Sequence, residues 1–153
     1  MNAEPTPSGT AATAALQRFV DAQRDSYAQA LAELRAGRKR GHWIWYVLPQ
    51  LHGLGRSALS QEYGIAGAAE ATAYLAHPLL GPRLRECVQA LLEHADRPAA
   101  SLLGELDALK LRSCLTLFAS VSPPDSLFQR ALDGFFDGAG DPTTLRLLGA
   151  PRN

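Results

Sequence analysis

The sequence has few cysteines and no long apolar run, and each absence excludes a class of protein. Its two cysteines, Cys87 and Cys114, fall within apolar helical patterns, where a free thiol commonly packs as a small hydrophobe. The longest uncharged apolar runs, such as residues 43–48, are far shorter than the ~20 residues that span a bilayer. The sequence therefore argues against a disulfide-stabilised domain and against an integral membrane protein, and we expect no membrane partner.

The chain also lacks the common signatures of metal, redox and hydrolytic chemistry. Apart from His42 and His52, no two cysteines or histidines stand at a spacing typical of metal ligands. The GxSxG, HExxH, CxxC, P-loop and dinucleotide-binding patterns are missing as well. We therefore expect no metal and no cofactor, and the sequence leaves open whether the protein is an enzyme.

The N-terminal sequence has neither the basic start nor the continuous apolar stretch of a secretory signal. Its Pro, Thr, Ser and Gly residues predict a flexible tail over residues 1–12. We therefore expect the protein to stay in the cytoplasm.

Composition and pattern predict one helical domain. The chain has 153 residues, 46% hydrophobic and 20% charged, which is average for a globular protein and long enough for a substantial core. Apolar residues recur mostly at helical spacing, and no convincing pair of strands is visible. We predict an all-α fold: a compact single domain, residues 13–150, of six or seven helices around a central buried helix, with no substantial sheet.

The individual helices follow from the same periodicity. The central helix is predicted at 106–121, because that segment is apolar almost all round. Gly37 predicts the end of the first helix, and Asp125 or Ser122 is the expected cap of the helix that follows the SPPD turn. Glycines at positions 53 and 55 predict a loop. The remaining predicted helices are 13–36, a short buried helix or turn within 41–51, 65–76, 82–94, 127–136 and 142–148.

The formal net charge is zero, but its distribution is uneven. No acidic residue occurs between Glu33 and Glu62, whereas five cations in that interval give a local charge of +5. The same stretch contains both tryptophans. Guanidinium groups bind phosphate or carboxylate through paired donors, and indole faces stack on planar rings. This mixture predicts a basic, aromatic cleft for a phosphorylated or nucleotide-like small molecule.

The central helix adds a polar edge to this site, because Lys110, Ser113 and Thr116 recur on one of its faces. For a general base there are only isolated candidates, His42, Asp21 and Glu70, and no nucleophile is paired with them. The predicted ligand-binding residues are Arg38, Lys39, Arg40, His42, Trp43, Trp45, Gln50, Arg56, Ser57, Lys110, Ser113 and Thr116.

Two other interpretations stay open. The tryptophans could be core residues and the arginines a solvated helix end, which is the usual role of such residues. Alternatively, the same surface could belong to a non-catalytic interaction module that docks an acidic protein or, less favoured because lysines are few, a nucleic acid. The oligomeric state does not follow from the sequence.

Several blocks together resemble a known family. They are RDSYAQALAELRAGRKRGHWIWYVLPQLHGLGRS, EATAYLAHPLLGPRLREC, LKLRSCLTLFA and DPTTLRLL. The chain resembles, over about residues 16–148, the bacterial domain of unknown function numbered eighteen-ten, which often carries the mistaken label calpastatin. The resemblance implies a compact all-α domain and no established activity. Calpastatins proper are disordered inhibitors, whereas this chain has the apolar content of a folded core.

Overall fold

The computed structural model of the protein describes residues 7–149, and within that range the chain forms ten helices and no sheet. The helices are α1 Pro7–Gln23, α2 Tyr27–Ala36, α3 Ile44–Val47, α4 Ala58–Glu62, α5 Ala68–Ala76, α6 Leu80–Leu92, α7 Ala99–Leu103, α8 Glu105–Ser120, α9 Leu127–Phe136 and α10 Pro142–Leu147. The all-α prediction is confirmed. The predicted number of helices is too low, because α4 and α7 were missed and the first helix is divided.

The first predicted helix is divided at residues 24–26, where turn hydrogen bonds replace the helical ladder. The polar residue just before the break, Gln23, is 1% exposed and donates from its side-chain amide to the carbonyl of Tyr46 at 2.7 Å and to the hydroxyl of Tyr74 at 3.2 Å. These two hydrogen bonds satisfy the buried amide of Gln23 at the end of α1. At the other end, α1 extends over residues 7–12 of the expected tail, and residues 1–6 lie outside the described part.

Helix α8 is the centre of the domain, as predicted. It packs against α5, α7, α9 and α10, and its side chains at 111, 114, 115, 117 and 118 are fully buried. Its first two turns differ from the prediction of an apolar helix buried all round, because Leu106 and Leu109 are 73% and 59% exposed. These two leucines lie at the cleft described below.

The segment between α2 and α4 contains a helix-ending glycine, the short helix α3 and one β-bridge. Gly37 has φ 72°, the left-handed conformation that ends a helix, as expected. The predicted short buried helix is α3, and it is followed by a single parallel bridge between Leu51 and Ile65. In this bridge the backbone N–H of Ile65 donates to the carbonyl of Gln50, and the N–H of His52 donates to Ile65, both at 2.8 Å. The bridge anchors the start of the predicted loop, whose position is confirmed.

Two further details refine the sequence prediction. The cap of α9 is Ser126, whose hydroxyl accepts from the N–H of Gln129, so the prediction of Asp125 or Ser122 was wrong. Both cysteines are free and buried, as expected, and burial raises the pKa of the Cys87 thiol to about 12.

Candidate functional site

A cleft of about 550 Å³ lies between the loop after α3, the first half of α8 and the start of α10. Such a volume is typical of a small-molecule site. The loop, the central helix and the last helix each supply part of its wall. The lining residues are Trp45, Gln50, Leu54, Gly55, Arg56, Ser57, Ser60, Leu106, Leu109, Lys110, Ser113, Asp141 and Thr143.

Six of the twelve predicted ligand-binding residues line this cleft: Trp45, Gln50, Arg56, Ser57, Lys110 and Ser113. They come from two segments more than fifty residues apart in sequence, which the fold brings together. The hydroxyl of Ser57 is partly used already, because it caps α4 by accepting from the N–H of Ser60 at 3.1 Å. Likewise, the hydroxyl of Ser113 donates to the carbonyl of Leu109.

The cleft narrows inward to a small pouch between α3 and Tyr63. Five residues line both the pouch and the outer cleft, among them Trp45, Gln50 and Lys110. The backbone carbonyl of Gln50 is bound in the bridge to Ile65, but its side-chain amide has no partner in residues 7–149, and neither has the indole N–H of Trp45. These groups are available for hydrogen bonds with a ligand.

One carboxylate, Asp107, is shared between the two lysines of the chain. It lies 2.7 Å from the ammonium of Lys39 and 3.4 Å from that of Lys110. The Lys39 side chain is 7% exposed, and its ammonium also donates to the carbonyl of Gly41 and lies 4.9 Å from the ring centroid of Trp43. Lys39 is therefore a structural ion-pair residue, which corrects its prediction as a ligand-binding cation.

Lys110 is bound more loosely than Lys39. Its side chain is 27% exposed, and its ammonium lies 5.9 Å from the ring centroid of Trp45. Because Asp107 is held closely by Lys39, the charge of Lys110 is only partly compensated. The second cation of the cleft, Arg56, is exposed, and its guanidinium has no partner among the residues that the structure describes.

Trp43 is 2% exposed, so it cannot stack on a ligand as predicted. Its indole N–H donates to Glu33 at 2.9 Å, and the same carboxylate oxygen accepts from the backbone N–H groups of Arg40 and Gly41. Burial favours the neutral form of Glu33, but these hydrogen bonds, with one from Gln29, outweigh it and lower the pKa of Glu33 to about 2. For Trp43 the alternative interpretation as a core aromatic is the one that agrees with the structure.

Three other predicted ligand residues, Arg38, Arg40 and His42, are exposed but do not line the cleft. Arg38 and Arg40 border a separate groove of about 490 Å³ along α2. They follow the left-handed turn at Gly37, which directs this part of the chain to another surface. The cations between Glu33 and Glu62 are thus divided between the groove along α2 and the cleft. The charge pattern of the sequence alone could not predict this division.

Thr116 also lies outside the cleft, since it is 3% exposed and both functions of its hydroxyl are used within the protein. The hydroxyl donates to the carbonyl of Arg112 at 2.7 Å and accepts from the N–H of Asp141 at 2.8 Å. Asp141 itself lines the cleft but was not predicted there. The sequence pattern there predicts only the helix over 142–148.

None of the three candidates for a general base lines the cleft. His42 is exposed, as described. Asp21 lies on the surface of α1, where hydrogen bonds from Gln17 and Arg24 lower its pKa. Glu70 accepts from the N–H of Ala66 at 2.8 Å and pairs with Arg18 at 3.3 Å. These pairings give Asp21 and Glu70 structural partners.

The described part of the chain contains no group of three or more His, Cys, Asp or Glu side chains that could hold a metal ion. Nor does any helix in residues 7–149 combine the length and apolar character needed to cross a membrane.

Comparison with known proteins places this all-α domain in a family. The chain belongs to the family described as a protein of unknown function, DUF1810, which it matches over residues 13–148. It is similar to the conserved hypothetical protein Rv1873 from Mycobacterium tuberculosis, known from a crystal structure. The two chains are 46% identical, the match covers 89% of this chain and 97% of that one, and the TM-score is 0.86. No curated protein matches the chain.

Proposed function

We propose that the protein binds a phosphorylated, nucleotide-like small molecule in the cleft between the loop at 53–57 and α8. In this proposal Arg56 and Lys110 bind the anionic group, the face of Trp45 stacks on a planar ring, and the amide of Gln50 bonds the edge of that ring. One observation carries the proposal: two incompletely paired cations lie beside a partly buried indole in a cleft of about 550 Å³.

The charge distribution supports an anion rather than a cation as the ligand. Asp107 is neutralised by Lys39, which leaves Lys110 as the less compensated member of the cluster. The acidic residue that lines the cleft, Asp141, uses one carboxylate oxygen to cap α10. A phosphate placed between Lys110 and Arg56 would form charge-assisted hydrogen bonds, which are stronger than neutral ones.

The proposal concerns binding and includes no reaction. The lining hydroxyls of Ser57 and Ser113 are bonded to backbone groups, and no lining residue of the described chain is a histidine that could activate them.

Isothermal titration calorimetry with adenosine monophosphate, ribose 5-phosphate and inorganic phosphate tests the proposal. Removing one charged hydrogen-bond partner of a bound anion costs about 1.5–3 kcal/mol, so Lys110→Met or Arg56→Ala is expected to weaken binding by about 10- to 150-fold. Trp45→Leu is expected to weaken the nucleotide but not inorganic phosphate. Arg38→Ala and Arg40→Ala remove the same type of charge outside the cleft and are the matched controls.

Three results would contradict the proposal. In the first, none of the phosphorylated probes binds. In the second, the Lys110 and Arg56 variants bind as tightly as the parent protein. In the third, only the control variants lose binding, which would move the anion site to the groove along α2.

A second candidate function is the docking of an acidic protein or a nucleic acid. The observation in its favour is the exposure of Arg38 and Arg40 without side-chain partners in the described chain, beside the groove along α2. Gel-shift assays with RNA and DNA at several salt concentrations test the nucleic-acid version, because phosphate contacts weaken steeply with ionic strength. A salt-sensitive shift that Arg38→Ala plus Arg40→Ala abolishes would support it, and no shift at low salt would exclude it.

A further inference from the structure

One carboxylate oxygen of Asp141 is unoccupied at the wall of the cleft. Its other oxygen, Oδ2, accepts from the backbone N–H of Thr144 at 2.8 Å and from the Thr144 hydroxyl at 2.7 Å. Oδ1 has no hydrogen-bond partner within residues 7–149, although Asp141 and its neighbour Thr143 both line the cleft. The carboxylate is therefore held by one oxygen while the other can accept a hydrogen bond.

The position of Asp141 is fixed by the central helix. Its backbone N–H donates to the hydroxyl of Thr116 at 2.8 Å, and Thr116 is in turn bonded to α8. The guanidinium of Arg112 donates to the carbonyls of Ala139 and Gly140 at 2.9 and 3.1 Å, which binds the preceding loop to the same helix. The carboxylate is thus placed before any ligand arrives, and little conformational entropy is lost on binding.

The distance between the cationic and acidic parts of the cleft follows from helix geometry. Lys110 and Thr116 are six residues apart on α8, and a rise of 1.5 Å per residue separates them by about 9 Å along the helix axis. Because the backbone N–H of Asp141 is bonded to Thr116, Asp141 meets α8 about 9 Å along the helix axis from Lys110, and Ser113, halfway between Lys110 and Thr116 in sequence, also lines the cleft. The cleft is therefore cationic near one end and acidic near the other.

A carboxylate repels phosphate but accepts hydrogen bonds from hydroxyl groups, as acidic residues do with ribose in dinucleotide-binding sites. We propose that Oδ1 of Asp141 accepts a hydrogen bond from a sugar hydroxyl of a ligand whose phosphate is bound by Arg56 and Lys110. This inference rests on the proposed function and deepens it, because it specifies a phosphorylated sugar or ribonucleotide over an anion without hydroxyl groups. Thr116, predicted as a ligand contact, is in this arrangement a positioning residue.

The test compares adenosine monophosphate with 2′,3′-dideoxyadenosine monophosphate, which has the same base and phosphate but lacks both ribose hydroxyls. The parent protein is expected to bind the hydroxylated nucleotide at least about tenfold more tightly, since a carboxylate hydrogen bond is charge-assisted. Asp141→Asn is expected to lower that ratio, because its NH₂ group can give a ribose hydroxyl only a neutral hydrogen bond, which is weaker than one to a carboxylate. Its amide oxygen can still cap α10, because asparagine is a good cap, but its NH₂ group then faces the cleft and cannot accept.

Asp141→Ser provides a second variant that also caps helices and does not carry a carboxylate into the cleft. Thermal unfolding of both variants checks that α10 is intact. Equal affinity of the parent protein for the two nucleotides, or a preference that survives undiminished in both variants, would overturn the role of Asp141 and leave the anion site in place. Failure of both nucleotides and of inorganic phosphate to bind would overturn the proposed function and this inference together.

Discussion

Replacing Lys39 with methionine tests the structural role that the ion pair with Asp107 assigns to this lysine. Methionine keeps an unbranched apolar side chain as far as the ε position but removes the ammonium, and it leaves Asp107, 18% exposed, with the looser partner Lys110 at 3.4 Å. Breaking a buried ion pair by removing one partner costs about 3–5 kcal/mol. Because Asp107 keeps one cation, the low end of that range applies, and we expect the free energy of unfolding to fall by about 3 kcal/mol.

Urea unfolding followed by circular dichroism measures this loss. For a domain of this size each kcal/mol shifts Tm by about 2–4 °C, so the melting temperature is expected to fall by about 6–12 °C. Lys110→Met is the matched control, and its loss is expected to stay below about 1 kcal/mol, because a partly exposed pair at 3.4 Å contributes little. Adding Asp107→Leu to Lys39→Met is expected to restore part of the stability, since the carboxylate that lost its close partner is then gone, and Lys110, which loses its own partner, is 27% exposed and can be solvated. A stability of Lys39→Met within about 0.5 kcal/mol of the parent protein would refute the reasoning.

Three further outcomes follow from the buried groups. The folded-state pKa of Glu33, about 2, lies below its ordinary value of 4.5, so the contribution of its charge to stability is present above pH 4.5 and is lost as the pH falls towards 2. In urea unfolding, Glu33→Gln is therefore expected to lose less stability than the parent protein over this pH window, and an identical pH profile of the two proteins would contradict this. Cys87 and Cys114 are buried and free, and burial raises the pKa of both thiols. A disulfide reagent at pH 8 is therefore expected to label neither thiol before urea is added, and fast labelling of the native protein would contradict their burial. Phe118→Ala is expected to lower the free energy of unfolding by about 3–5 kcal/mol, and a loss under 1 kcal/mol would mean that α8 is not the core of the fold.

The long helices could be predicted from the sequence because burial imposes a helical period on it. Residues 106–121 were predicted as the central helix, and α8 occupies nearly the same range and contains five fully buried side chains. The short helices α4 and α7 have five residues each, too few for a period to appear. The break after Gln23 was missed because its cause is a tertiary contact, the hydrogen bond to the carbonyl of Tyr46.

The candidate site was predictable in part, for a related reason. Residue type was the basis of the prediction, and Trp45, Arg56 and Lys110 do line one cleft although they are distant in sequence. Residue type could not show that Lys39 has a partly buried carboxylate partner, Asp107, nearly seventy residues away. The exposed side of each helix and the direction of each turn depend on packing.

Asp141 is the converse case, because it lines the cleft although its residue type did not indicate this. The sequence predicts a helix over 142–148 and assigns Asp141 no role, whereas the structure shows that Asp141 caps α10. Only the fold brings α10 against α8 and places Asp141 at the wall of the cleft.

The most direct test of the central claim is a crystal structure of the protein grown with adenosine monophosphate. We predict the phosphate within hydrogen-bonding distance of Arg56 and Lys110, the adenine ring against Trp45, and a ribose hydroxyl at Asp141. A nucleotide bound in the groove beside Arg38 and Arg40, or a cleft that stays empty at saturating ligand, would contradict the claim.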